Sequence, residues 1–164
     1  MADDRSIEPQ VLATLDALGV AYESVEIDPA LADTAAFCEH YGYAEEDSAN
    51  CIVVASRDDD PVLAACVVLA TTRLDVNKRV RKLLGVRRLS FAPAELTAEV
   101  TGMTMGGVTP FALPADLPLY VDHRVMERER VIVGGGSRSL KLLVAPDALV
   151  AAGAEVVTDL ARGD

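Results

Sequence analysis

The chain has 164 residues, 51% of them apolar, and a net charge of −11. That length fits one domain, residues 1–164, able to bury a core without disulfides or metals, and no apolar run approaches the roughly 20 residues of a membrane span. Three cysteines, Cys38, Cys51 and Cys66, form no CxxC pair, which argues against a disulfide framework or a cysteine zinc site. The acidic start, Met1 to Ser6, lacks the basic-then-apolar pattern of a secretory signal, so a cytoplasmic location is expected.

Ile7, Val11, Leu15 and Leu18 share one helical face, with Ser6 placed to cap, Pro9 in the first turn and Gly19 to stop the helix. Val20 to Ile27 reads as a strand before the Asp28-Pro29 break. A helix opening at Asp33 or Thr34 runs to about Tyr41 and ends near Gly42. Asn50 to Ala55 and Val62 to Ala70 are β-branched apolar runs divided by Asp58-Asp59-Asp60-Pro61, the two buried strands of a hairpin. From Asp75, a capping residue, the period becomes helical: Val76, Val80, Leu83 and Leu84 share a face and Gly85 ends it. Arg87 to Phe91 is a short strand and Pro93 to Val100 a short helix.

Thr101 to Pro114 holds three glycines and two prolines and reads as a shaped loop. In it Gly106 and Gly107 permit close approach to the backbone, while Pro110 biases Thr109 toward extended geometry. Leu119 to Val121, Arg130 to Val133 and Leu140 to Val144 continue as strands, the last two joined by the turn Gly134-Gly135-Gly136-Ser137. Pro146 starts a helix, and Glu155 to Val157 adds a strand. Strands and helices interleave without strict alternation, so the expected fold is α/β or α+β, with a mixed, strongly curved, barrel-like sheet packed with helices.

Conventional catalytic sets are thin. His40 and His123 have no partner at a diagnostic spacing, and Cys51 and Cys66 sit in apolar strand patterns where a thiol is inert core. Ser137-Arg138-Ser139 lacks the strand-elbow-helix setting of an activated serine. Gly134, Gly135 and Gly136 suggest a phosphate cradle without the Walker lysine, and a hairpin turn explains them as well. No metal and no cofactor is indicated. What remains is a site built of glycines and backbone amides. Charge is concentrated too: between Arg73 and Arg88 seven basic residues face a single acid, Asp75. Arg73, Lys78, Arg79, Arg81 and Lys82 in this run make either a phosphate-binding patch or a solvated helix face.

The order of these pieces resembles a family. A basic helix ending in Leu84-Gly85, then Thr101-Gly102, Gly106-Gly107-Val108-Thr109-Pro110-Phe111, Leu119-Tyr120-Val121-Asp122, Val131 to Gly136, and Pro146 to Leu149 is similar to the YbaK-like prolyl-tRNA-editing domains. That resemblance implies a mixed, barrel-like sheet packed with helices and a trans-acting aminoacyl-tRNA deacylase that hydrolyses the ester of mischarged tRNA, of the Ala- or Cys-tRNA(Pro) type. Aminoacyl-tRNA would be the partner, with a prolyl-tRNA synthetase as a second one. In the family picture Gly106, Gly107, Val108, Thr109 and Pro110 present backbone groups to the ester and the terminal adenosine, and water attacks with help from the neighbouring ribose hydroxyl. The Gly134 to Gly136 turn lines the same pocket, Asp122 supports its wall, and Thr34 lies near its mouth. Amides suffice for such chemistry, because preorganised N–H donors stabilise the oxyanion that ester hydrolysis develops.

One departure stands out. Family members carry a lysine at the start of the strand matched by Asn50 to Val54, and this chain has Asn50. Asparagine can hydrogen-bond a hydroxyl or phosphate but supplies no charge, and a charge-assisted bond is roughly twice as strong as a neutral one. Two alternatives therefore stand beside the deacylase: a binding or regulatory module of the same fold that recognises an aminoacyl-nucleotide-like ligand without hydrolysing it, and a small-molecule hydrolase with no tRNA partner. Side chains such as Met103, Met105, Val108 and Phe111 are expected to set pocket volume.

Overall fold

The structure is a computed structural model that describes residues 4–163, leaving the first three residues of the acidic start and Asp164 outside it. Helix α1 (Glu8–Leu18) begins without a side-chain cap; a 3-10 turn, Asp4–Ile7, leads into it, so the expected Ser6 cap is replaced by continuous helical winding. Strand β1 (Tyr22–Glu26), helix α2 (Thr34–Tyr41) and the antiparallel hairpin β2 (Ala49–Ser56) and β3 (Leu63–Leu69) follow where periodicity places them. A two-residue strand β4 (Arg73–Leu74) precedes the basic segment. There Asp75 accepts from the Lys78 amide at 3.3 Å, but the chain winds as a wide π-type turn, Val76–Val80, before the single α-turn of α3 (Arg81–Leu84). Strand β5 (Leu89–Phe91) and helix α4 (Ala94–Thr101) deliver the chain to the glycine loop. Beyond it lie β6 (Leu119–Asp122), β7 (Val131–Gly134), β8 (Leu140–Val144), α5 (Asp147–Ala151), β9 (Glu155–Val157) and β10 (Ala161–Arg162).

The strands form a five-stranded mixed sheet in the order β5-β2-β3-β6-β9, a three-stranded antiparallel sheet β1-β8-β7, and the small pair β10-β4. The main core lies where the two larger sheets meet: Val67, Val121, Val133, Leu142 and Val144 pack there with Val11 and Leu15 of α1 and Leu149 of α5. The apolar stripe of the basic segment, Val76 and Val80, covers the opposite face of the large sheet, and Phe37 and Cys38 of α2 cover the outer face of the small one. The expected barrel does not close. β2 and β7 share one isolated bridge, Ser48 to Ile132, while β5 pairs with β2 only from Val54 to Ser56. The outer edge of β2 from Asn50 to Val53 is therefore left without a partner strand, and the glycine loop lies across that gap.

Candidate functional site

The gap is a cavity of about 340 Å³. Its walls come from the β2 edge (Asn50 to Val53), from Gly106 and Val108, from Ile132 and Gly134 of β7, and from Lys141 of β8, with Phe91 and Met105 at the mouth. Two glycine segments meet behind it. The Gly136 amide donates to the Gly107 carbonyl at 2.7 Å, and a Cβ at Gly107 would fall on the Ser137 carbonyl. Gly134 sits as close to the Val108 and Gly107 carbonyls, so backbone packs on backbone and no side chain can intervene. Buried Glu8 fixes this junction: Ser137 Oγ donates to its carboxylate, the Ser139 amide donates to Ser137 Oγ, and Arg5 pairs with Glu8 at 2.9 Å.

This packing decides which amides are available. The Gly107 amide donates to the Thr104 carbonyl at 2.8 Å, and the Thr109 amide to Met103 Sδ at 3.4 Å. The Gly106 and Val108 amides have no acceptor among the described residues. Gly106 adopts φ +95°, a left-handed conformation that side chains resist. Thr109 and Pro110 are buried and do not line the cavity, and Met103 and Phe111 are core; only Met105 and Val108 of the four volume-setting candidates reach it. Gly135 and Gly136 back the wall against Leu140 and α1.

Asn50 stands on the cavity wall, and its Oδ1 accepts from Thr34 Oγ at 3.3 Å, which brings the N-terminus of α2 to the mouth. Asp122 lies elsewhere. Fully buried at the end of β6, it accepts from the Ala161 amide at 3.2 Å with Arg124 at 3.8 Å, and so holds β10 in place. Arg73, Lys78, Arg79, Arg81 and Lys82 sit outside the cavity on the β4–α3 surface; Arg79 donates to the Thr158 carbonyl at 3.0 Å and Arg81 to the Asn77 carbonyl at 2.8 Å. Cys51 lines the cavity, but burial pushes its thiol up to about 12, so it carries no thiolate near neutrality.

The residue that sequence reasoning missed is Lys141. It is 9% exposed, yet lines the cavity opposite Gly134, its β7 partner, and forms no ion pair among the described residues. Its ammonium lies 5.7 Å from the centroid of the Phe37 ring, a cation–π contact. Burial lowers its pKa first, and the Arg138 guanidinium lowers it further, against the opposing pull of Asp33. A buried, unpaired ammonium is costly unless an anion or a polarised oxygen meets it. A lone lysine within Leu-Lys-Leu-Leu-Val was the available signal. Chemically, the cavity combines two open amides, one carboxamide and one cation around a space fit for a small polar ester.

Comparison with known proteins gives a consistent result. A solved structure described as a trans-editing enzyme for prolyl-tRNA synthetase superposes with a TM-score of 0.82 at 22% identity, covering 100% of this chain and 99% of its own. A second, of the hypothetical protein APE2540, gives 0.83 at 27% identity over 93% of this chain and 99% of that one. The chain is also 24% identical over 99 residues to EbsC of Enterococcus faecalis, named as a Cys-tRNA(Pro)/Cys-tRNA(Cys) deacylase; the match spans 60% of this chain and 58% of that relative. The aminoacyl-tRNA editing domain model matches residues 28–152, which contain both glycine segments, Asn50 and Lys141, and the chain belongs to that family.

Proposed function

We propose that the chain is a trans-acting aminoacyl-tRNA deacylase, a single editing domain that clears Ala- or Cys-tRNA(Pro)-type mischarging in the cytoplasm, alongside a prolyl-tRNA synthetase. The observation that carries this reading is the convergence of Gly106 and Val108, whose amides have no acceptor among the described residues, with Asn50 and Lys141 on one cavity. In the reaction, a water oxygen bonds to the ester carbonyl carbon, the bond to the ribose oxygen breaks, and that oxygen leaves as a hydroxyl after taking a proton. The Gly106 and Val108 amides stabilise the oxyanion formed between these steps, a role in which a single donor is worth about 100-fold or more in rate. Asn50, steadied by Thr34, orients the aminoacyl-adenosine. Lys141 supplies the positive charge that Asn50 cannot, from a different strand. Gly107, Thr109, Pro110 and the Gly134 to Gly136 turn act by fixing the shape of the loop.

The test is amino-acid release from a panel of charged and mischarged tRNAs, starting with alanyl- and cysteinyl-tRNA(Pro). Turnover of one mischarged species, with prolyl-tRNA(Pro) spared and the signal lost in Gly106→Val, is the expected result. A flat panel from folded protein that still binds charged tRNA would overturn the deacylase in favour of a binding module.

A further inference from the structure

The arginines of this protein divide into two sets. Arg5, Arg124, Arg128, Arg130 and Arg138 each lie within 3.8 Å of a carboxylate oxygen. The other seven, Arg57, Arg73, Arg79, Arg81, Arg87, Arg88 and Arg162, form no ion pair among the described residues, in a chain with 26 acidic residues to offer. Four of them, Arg57, Arg81, Arg87 and Arg88, converge. Arg57, Arg87 and Arg88 are common to two adjoining shallow clefts, one reaching Asp58, the other reaching Asn77 and Arg81. The backbone fixes them there: the β2–β5 ladder ends at Ser56 and Leu89, and one step further the Arg57 amide donates to the Arg88 carbonyl at 3.3 Å. Like charges facing each other across neighbouring strands destabilise a sheet, and an acid at either position would relieve it. An anionic ligand relieves it as well.

Three residues beyond Arg88, at the far end of β5 and roughly 10 Å away, stands Phe91, 58% exposed and at the cavity mouth. A large exposed ring beside a row of unpaired arginines is the combination that holds single-stranded nucleic acid, with phosphates on the cations and a base stacked on the ring. We infer that Arg57, Arg81, Arg87 and Arg88 grip the phosphates of an RNA 3′ single-stranded end and that Phe91 stacks one of its bases, leading the terminal nucleoside into the cavity. The ligand class follows from the deacylase reading above; the path is read from these arginines and Phe91. Arg73, Lys78, Arg79 and Lys82 of the basic segment line neither cleft.

The experiment is fluorescence anisotropy of uncharged labelled RNA, a hairpin with a four-nucleotide 3′ overhang against the same hairpin made blunt, at several salt concentrations. Uncharged RNA has no ester to hydrolyse, so binding is read whether or not the protein turns over aminoacyl-tRNA. The overhang hairpin binds more tightly than the blunt one. Arg57→Ser/Arg88→Ser weakens it about tenfold and lowers the salt slope by roughly 1.4, the value for two phosphate contacts on a single strand. Phe91→Ala weakens it about tenfold with the salt slope kept, and Phe91→Trp restores it. Arg130→Ser, on an ion-paired arginine, changes nothing. Equal affinity for blunt and overhang RNA, or unchanged binding in both the arginine and Phe91→Ala variants, would overturn the inference. Loss of turnover with this RNA binding intact would count against the deacylase alone.

Discussion

The two walls of the cavity are built on opposite principles. The glycine wall, Gly106 to Val108 against Gly134 to Ser137, is backbone on backbone at Gly107 and Gly134, where contacts leave no room for a Cβ, and the Arg138 guanidinium lies against Gly106. The rest of the lining depends on side chains: Asn50 of β2, bonded to Thr34 of α2, and Lys141 of β8. A wall of main-chain contacts tolerates almost no substitution, whereas a charge can be supplied from any strand that reaches the same space. In this chain Asn50 brings no charge and Lys141 brings the cation.

Substitutions test this contrast directly. Gly107→Val has the largest expected effect: its side chain would meet the Ser137 carbonyl, so turnover falls at least about 100-fold and stability by about 3 kcal/mol, read by deacylation and thermal unfolding; a variant with both intact would show that the two glycine segments need not touch.

Lys141→Met is expected to lower kcat/KM by about tenfold to 100-fold, the range for losing a hydrogen bond to a charged group. The same variant raises Tm, because an unpaired buried ammonium is removed. Lys141→Met/Asn50→Lys then recovers part of the activity, since the charge returns to the same cavity. A lower Tm with kcat/KM unchanged would make Lys141 a packing residue. The pH dependence has a definite sign. The folded protein releases the Lys141 proton below the usual lysine range while the unfolded chain keeps it up to about 10.5, so this residue makes stability rise with pH across that window. Activity that needs the ammonium falls over the same alkaline range, and Lys141→Arg, which keeps its charge, removes the fall.

Thr34→Val removes the 3.3 Å hydrogen bond to Asn50 and raises KM by roughly threefold, about the worth of one neutral hydrogen bond at the weak end; no change in KM would mean that Asn50 is oriented without it. The smallest effect on activity belongs to Asp122→Ala, remote from both walls. Loss of the acceptor for the Ala161 amide lowers stability by about 1–3 kcal/mol, seen in thermal unfolding, while KM stays put. A raised KM would return Asp122 to the substrate wall.

Much of this molecule is legible in its sequence. The β2–β3 hairpin and α2 appear because alternation, a Pro-bearing acidic turn and a glycine stop act over a few residues. The β4–β10 pair does not, since two residues on each side carry no pattern and are held by distant groups: Asp122 on the Ala161 amide, Arg124 on the Ala161 carbonyl and the Asp75 amide on the Leu160 carbonyl. Ser6 shows a local rule overridden: the chain keeps winding through Ile7, and Glu8 turns inward to hold Ser137, 129 residues away.

The sequence by itself determined the order of the longer strands and helices, the glycine loop and the family to which the chain is similar, because those depend on residue type and short-range spacing. Tertiary structure decided which amides remain open, where the barrel fails to close, and that Lys141 faces the cavity. Alternation along Leu140 to Val144 says which side chains share a face, but not what covers that face. Here Phe37 of α2 covers it, which makes Lys141 a buried cation beside the β2 edge.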